Sequence, residues 1–104
     1  MEINKISEKY NLYKEGASYV VDFGNVKRFE DKSVELQISG VEEAVLLNLE
    51  ATCGCTKPQK TVVDKNTAKF KVTYTDCVGT FSKVVKVVYN KKQLTTIILK
   101  GLCN

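Results

Sequence analysis

The chain has 104 residues, of which 43% are hydrophobic and 27% are charged, and 16 basic against 12 acidic residues give a net charge of +4. This length predicts one domain with a single core, and this composition excludes disorder as the main state. The longest apolar runs are too short to cross a bilayer, so we expect a soluble protein with no membrane partner. The basic residues are scattered and include one arginine, Arg28, which argues against a nucleic-acid partner.

Residues 1–16 carry four apolar residues at helical spacing: Ile3, Ile6, Tyr10 and Tyr13. This segment therefore predicts a short helix or an arm that precedes a domain at residues 17–104. Two interpretations stay open, because the apolar stripe could fold back to cover an edge of the domain or reach a neighbouring subunit. The segment lacks the apolar core of a secretory signal, so we expect the protein to stay where it is made.

From Ser18 onward the apolar residues recur with a period of two, which predicts β-strands to the end of the chain. Seven strands are predicted, at residues 19–26, 34–39, 45–50, 61–63, 68–74, 81–89 and 94–101. A hairpin turn at residues 90–93 joins the last two. Seven short strands without a long helix between them predict an all-β, antiparallel sandwich.

Four motifs follow one another along this region: Asp22-Phe23-Gly24-Asn25-Val26, Cys53-Gly54-Cys55-Thr56-Lys57-Pro58, Gly79-Thr80-Phe81-Ser82-Lys83 and Leu99-Lys100-Gly101. With them the chain resembles the Hydin-like immunoglobulin domains. More narrowly, it resembles a bacterial family of unknown function whose members carry Asp-Phe-Gly-x-Val and Cys-Gly-Cys-Thr before a proline. The resemblance covers residues 19–102 and implies a seven-stranded immunoglobulin-like sandwich that serves as a binding or assembly module. It implies no catalytic residues.

Many members of that family are exported parts of longer chains, and this chain departs from both patterns. It is similar to small immunoglobulin-like proteins of tailed bacteriophages, in particular the auxiliary capsid proteins of crAss-like phages. That resemblance implies a virion protein that is made in the host cytoplasm and bound to the major capsid protein or another virion subunit. A homo-oligomer and a cytoplasmic location are alternatives that stay open.

The four cysteines are Cys53, Cys55, Cys77 and Cys103. They follow predicted strands that all run in one direction in an antiparallel sandwich, so we expect them at one pole. A reducing cytoplasm favours free thiols, with disulfides as an alternative. A four-cysteine zinc site is a further alternative, which is disfavoured because the Cys-x-Cys spacing is tighter than usual zinc spacings.

Nothing in the sequence predicts an enzyme or a cofactor. The chain has no histidine, so no imidazole could generate a thiolate for acyl transfer. The acidic pairs Glu30-Asp31 and Glu42-Glu43 fall in predicted turns, where carboxylates are common for solubility. The glycines are isolated, and no phosphate-binding or dinucleotide-binding pattern occurs.

Three of the predicted strands have apolar residues on both faces. The residues expected to face the core are Val45, Leu47, Leu49, Val85, Val87, Ile97 and Leu99. Their neighbours Leu46, Val84, Val88 and Ile98 then fall on the opposite face, where we expect them to be exposed. A contiguous apolar patch on a small protein usually marks a partner site, although the N-terminal stripe could cover it.

We therefore predict that a protein partner binds Leu46, Val84, Val88 and Ile98, together with Ile3, Ile6, Tyr10 and Tyr13 of the N-terminal segment. The first functional hypothesis is a structural module that decorates a phage capsid. The second is an intracellular or exported immunoglobulin-like adaptor for a protein or a carbohydrate. The third is a small thiol-redox or zinc-binding domain.

Overall fold

Most of the chain forms β-structure. The computed structural model describes residues 2–6, 10–27, 32–51, 56–74 and 79–103. The strands are β1 (Glu2–Lys5), β2 (Asn11–Glu15), β3 (Ser18–Val26), β4 (Lys32–Ser39), β5 (Leu47–Ala51), β6 (Thr56–Asp64), β7 (Thr67–Tyr74), β8 (Gly79–Tyr89) and β9 (Lys92–Cys103). Within those ranges the helical structure is limited to a 3-10 turn at Ala44–Leu46. The predicted all-β class is confirmed.

The strands form two sheets whose inner faces share one core. The four-stranded sheet has the order β1-β4-β7-β6, and the five-stranded sheet has the order β2-β3-β9-β8-β5. Neighbouring strands are antiparallel except β3 and β9, which run parallel. The sandwich is confirmed, but the predicted count of seven strands is wrong. Strands β3 to β9 account for the seven expected within residues 17–104, and β1 and β2 are additional strands formed by residues 1–16.

The N-terminal segment forms these two strands where a helix or an arm was predicted. Strand β1 pairs with β4, and β2 pairs with β3, so each adds an edge strand to one sheet. Helical spacing was a misleading signal here because a helix this short is marginal in water, whereas an open sheet edge offers a full row of hydrogen-bond partners. Ile3 and Tyr10 are buried in the core, at 7% and 4% exposure. The stripe thus folds back onto the domain at these two residues.

The two sides of the sandwich are closed by different contacts. On the side of β1 and β2, the Glu35 carbonyl accepts hydrogen bonds from the Ile6 amide at 3.0 Å and the Tyr10 hydroxyl at 2.5 Å. On the opposite side, Lys60 of β6 donates through Nζ to the carbonyls of Val45 and Leu47 at 3.0 and 2.9 Å. Each side therefore has a polar side chain that ties one sheet to the other.

The core consists of alternate residues from both sheets, as the period of two predicts. Its fully buried members include Val34, Leu36, Ile38, Phe70, Val72, Leu47, Val85, Val87, Ile97 and Leu99. Val45 was expected among them but is 62% exposed, because it lies in the 3-10 turn, where strand alternation does not hold. Ala44 is buried there instead, and the inward alternation begins at Leu47.

The predicted hairpin between β8 and β9 is confirmed. Asn90 and Lys91 form the turn and both have positive φ, at 49° and 67°. Two central residues with positive φ define a type I′ turn, whose twist matches that of the flanking strands. A register shift follows at once, because Val87 pairs with Thr95 whereas Val88 pairs with Gln93.

Candidate protein-interaction face

The face of the five-stranded sheet that points away from the core, here called the outer face, carries a line of apolar side chains. Tyr13 lies opposite Val20, Val20 opposite Ile98, and Ile98 opposite Val84. Because directly opposed residues of neighbouring strands point to the same face, these four side chains form one row across β2, β3, β9 and β8. We call Tyr13, Val20, Ile98 and Val84 the apolar row.

The apolar row is partly open to solvent. Tyr13 is 39% exposed, Ile98 and Val84 are half-buried, and Val20 is 1% exposed although it does not belong to the core cluster. The Lys100 ammonium lies 5.7 Å from the centroid of the Tyr13 ring, which is two strands away. The aliphatic part of Lys100 therefore crosses β3 on the side of Val20, as long basic side chains often cover apolar surface.

Polar rows run on both sides of the apolar row. The first polar row contains Asn11, Asp22, Lys100 and Ser82. The second polar row contains Glu15, Ser18, Thr96, Lys86 and Glu50. The Ser18 and Thr96 hydroxyls lie 2.6 Å apart, in agreement with this register. The first polar row therefore has one acid and one base, whereas the second polar row has two acids and one base.

Lys100 links these rows electrostatically. Its hydrogen bond to the Tyr13 side chain and the electrostatic effect of that group, followed by the nearby Asp22 and Glu15 carboxylates, raise the pKa of Lys100 above its ordinary value. The ammonium stays fully charged at neutral pH. The outer face thus presents a charged group directly beside an apolar one.

The structure brings together three of the side chains predicted to bind a partner: Tyr13, Ile98 and Val84. Leu46 is half-buried in the 3-10 turn, and its carbonyl accepts a hydrogen bond from the Asn90 amide at 3.1 Å. It lies at the margin of the outer face.

Four other predicted partner residues need correction or lie elsewhere. Val88 is 8% exposed, so the expected exposure is wrong: the register shift beside it leaves both Val87 and Val88 buried. Ile3 and Tyr10 are core residues and cannot meet a partner in the folded chain. Ile6 is 42% exposed, but it lies beside Glu35 of the four-stranded sheet, away from the apolar row.

Sequence reasoning missed Val20 and the charged residues of the two polar rows. A signal for Val20 was present, because Val20 and Val21 are adjacent apolar residues in one strand, and one of them has to face away from the core. Val21 is the core residue. The charges of Glu15, Asp22 and Lys86 could be placed only through the pairing of distant strands.

A surface cleft of about 360 Å³ opens at the end of the first polar row. Three of the sequence motifs meet there, through Asp22 and Gly24 of β3, Ser82 of β8, and Lys100 and Gly101 of β9. The Asp22 carboxylate accepts a hydrogen bond from the Gly24 amide at 2.8 Å, and Gly24 has a φ of +67°. The same stretch carries the register shift between β3 and β9. These motif residues therefore shape the backbone at the margin of the outer face.

Cys103 ends the described part of β9, opposite Val26 of β3 and Gly79 of β8. It is buried and disulfide-bonded, so the expectation of a free thiol is wrong for this residue. That expectation rested on the compartment alone and could not weigh the position of the thiol in the fold. Cys53, Cys55 and Cys77 lie outside the described residues. The common pole thus stays a prediction, whereas a zinc site made of all four cysteines is wrong, because the disulfide-bonded Cys103 offers no thiolate.

Two further observations concern the described ranges alone. No three side chains of the metal-binding types cluster there as ion ligands would. Nor does any helix within those ranges reach the length and apolar character that a membrane crossing requires.

Fold and site together define a small β-sandwich domain with a mixed apolar and charged face on one sheet. The sequence model of a family described as "Protein of unknown function (DUF1573)" matches residues 15–102. Because this match covers most of the chain, the protein belongs to that family. The match begins at the end of β2, so β1 and most of β2 lie outside it. No curated protein matches the chain.

Proposed function

We propose that this protein is a non-enzymatic structural module whose outer face is a contact surface within a larger protein assembly. The observation that carries the proposal is the apolar row, in which Tyr13 is 39% exposed and Ile98 and Val84 are half-buried, with the buried Val20 in register between them. Single exposed apolar residues are ordinary, but a contiguous set points to a partner.

A comparison with the outward face of the four-stranded sheet supports the proposal. There the opposed side chains are polar: Gln37 lies opposite Lys69 and Lys69 opposite Thr61, while Glu35 lies opposite Lys71 and Lys71 opposite Gln59. Such a polar surface is stable in contact with water and does not need to be covered by a partner. The apolar row therefore does not follow from the sandwich fold itself, since the second sheet manages without one.

The assembly that we propose is a bacteriophage capsid, with the major capsid protein or another virion subunit as the partner. The sequence resemblance to auxiliary capsid proteins motivates this choice. The disulfide at Cys103 supports it, because disulfides persist on virions and outside cells but are rare in a reducing cytoplasm.

An exported adaptor is the second candidate, and the cleft beside the first polar row favours it. A protein ligand fits this cleft better than a carbohydrate does. Sugars usually stack on an open aromatic ring, and Phe81, the aromatic residue that lines the cleft, is only 5% exposed.

To test this, particles are purified from the source of the protein and separated on a density gradient. Mass spectrometry then measures the amount of the protein in each fraction. We expect it to sediment with the particles in a fixed ratio to the major capsid protein. Recovery only in the unsedimented fraction, or with fragments of the cell envelope, would contradict the capsid assignment.

Substitution variants then test the face itself. We expect Val84→Glu and Tyr13→Glu to sediment with the particles at least about tenfold less than the wild type, since a charge buried in a contact is costly. Val62→Glu is the matched control, because Val62 is 42% exposed on β6, away from the outer face. Thermal unfolding of all three free variants separates lost contact from lost folding. Equal incorporation of Val84→Glu, Tyr13→Glu and Val62→Glu would refute a role for the outer face.

A further inference from the structure

We propose that the outer face docks onto the outer face of a second copy of this chain, about a two-fold axis that runs along the strands between β3 and β9. This inference rests on the proposed function, because it names the occupant of the same face. The observation behind it is the arrangement of charges and apolar groups in the three rows.

A two-fold axis parallel to the strands keeps each row facing the same row of the second copy. Placed between β3 and β9, it exchanges β3 with β9 and β2 with β8. In the apolar row, Tyr13 then faces Val84 of the second copy, and Ile98 lies over the position of Val20 of the second copy. Val20 itself is 1% exposed, so the apolar contact is supplied by the members that reach the surface, Tyr13, Ile98 and Val84.

The polar rows become complementary under the same operation. Glu15 faces Lys86 of the second copy, and the backbone position of Asp22 faces that of Lys100 of the second copy. The Lys100 ammonium lies at Tyr13 of its own chain, so the second pair forms when this side chain turns toward Asp22 of the other copy. Symmetry repeats both pairs, so two acids and two bases of each copy are matched. The Lys100 ammonium already lies near Asp22 and Glu15 of its own chain, so docking would extend an existing network of opposite charges.

Neighbouring choices of axis lose this complementarity. An axis moved onto β9 would make Lys100 face Lys100 of the second copy. An axis moved onto β3 would make Asp22 face Asp22 of the second copy. Both arrangements oppose like charges, which is unfavourable. A two-fold axis perpendicular to the strands would place Glu15 over Asn11 and Lys86 over Ser82, with no opposite charges matched. The charge pattern thus selects one axis.

The resulting contact has ordinary sheet-on-sheet geometry. Two sheets pack face to face with their strands aligned to within about 30° and a separation of about 10 Å. A face four strands wide is small for an obligate dimer, so we expect a dissociation constant of about 1–100 μM. Pairing would then depend on concentration and would be strengthened inside a larger assembly.

The experiment reverses charges at Glu15 and Lys86, which are both exposed. Sedimentation equilibrium of the wild type should show a monomer–dimer equilibrium. Glu15→Lys places the introduced lysine against Lys86 of the second copy, and Lys86→Glu places two glutamates together. Each variant alone should dimerise at least about tenfold more weakly than the wild type. An equimolar mixture of the two variants should regain a dimer, because positions 15 and 86 then again oppose an acid and a base across the axis.

The matched control is Lys71→Glu on the four-stranded sheet. Lys71 lies beside Glu35 in the same way as Lys86 lies beside Glu50, so both substitutions oppose like charges within one chain. The control should dimerise as the wild type does. A wild type that is monomeric up to about 1 mM, or a mixture that fails to regain the dimer, would overturn the inference.

The inference and the proposed function can fail separately. A monomeric wild type whose Val84→Glu variant is still lost from particles would overturn the paired docking and leave the contact surface in place. A wild type that pairs in solution but is absent from particles would overturn the capsid assembly and leave the paired docking in place.

Discussion

Gly101 shows how a single residue allows three sequence motifs to meet. A Cβ atom at this position would lie 2.9 Å from the Gly24 carbonyl oxygen and 2.9 Å from Cζ of Phe81. Real Cβ atoms do not approach other atoms so closely, so glycine is required by the packing of β9 against β3 and β8. The motifs around Gly24, Phe81 and Gly101 are therefore explained by backbone geometry at the disulfide-bonded end of the sheet.

We expect Gly101→Ala to lower the free energy of unfolding by about 1–3 kcal/mol, since overpacking forces neighbouring groups apart. Chemical denaturation followed by circular dichroism measures the change. Ser82→Ala is the control, because Ser82 is exposed beside the same cleft and its loss should change stability by less than about 0.5 kcal/mol. A Gly101→Ala variant as stable as the wild type would show that β3 and β9 are farther apart than described.

At the scale of elements, the N-terminal strands are additions to the part of the chain that the family match covers. Strand β1 covers the edge of β4, and Ile3 contributes to the core at 7% exposure. The remaining strands of the four-stranded sheet pair with one another without it. Strand β1 should therefore stabilise the sandwich without being needed to form it.

Deletion of residues 1–6 should leave the β-sheet circular dichroism spectrum intact and lower the free energy of unfolding by about 1.5–3 kcal/mol, the contribution of one buried isoleucine. Ile6→Ala is the control, because Ile6 is 42% exposed and should contribute little. Complete unfolding of the deleted chain would contradict an accessory role for β1. Unchanged stability would contradict the burial of Ile3.

The sequence-based predictions were accurate where the structure depends on neighbouring residues, and they failed where the backbone departs from regular strand geometry. Alternation is local, so it correctly assigned Leu47, Val85 and Leu99 to the core. It failed at Val45, where a 3-10 turn replaces strand geometry, and at Val88, where the hairpin shifts the register.

Contacts between distant parts of the chain could not be predicted from the sequence. Pairing of β1 with β4 and of β2 with β3 decides whether Ile3, Tyr10 and Tyr13 are core or surface. The apolar row also depends on the parallel pairing of β3 with β9, across nearly the whole chain. Val84 and Ile98 could be placed on one face in advance, but their alignment with Tyr13 and Val20 could not.

At the scale of the whole molecule, the two sheets present different surfaces. The outer face combines the apolar row with matched charges, whereas the opposite surface carries Lys69, Lys71, Gln37 and Glu35 in polar rows. This asymmetry leads to the central claim that the outer face is buried when the protein is assembled. The claim holds whichever protein, a second copy or another subunit, lies across the face.

Lysine footprinting tests this claim most directly. Lys86 on the outer face and Lys71 on the opposite surface are both exposed in the free chain. Acetylation of assembled and of dissociated protein, read by mass spectrometry, reports the accessibility of each ammonium. We predict that assembly protects Lys86 at least about fivefold and leaves Lys71 unchanged, since an interface core excludes solvent. Protection of Lys71 with full labelling of Lys86 would contradict the account.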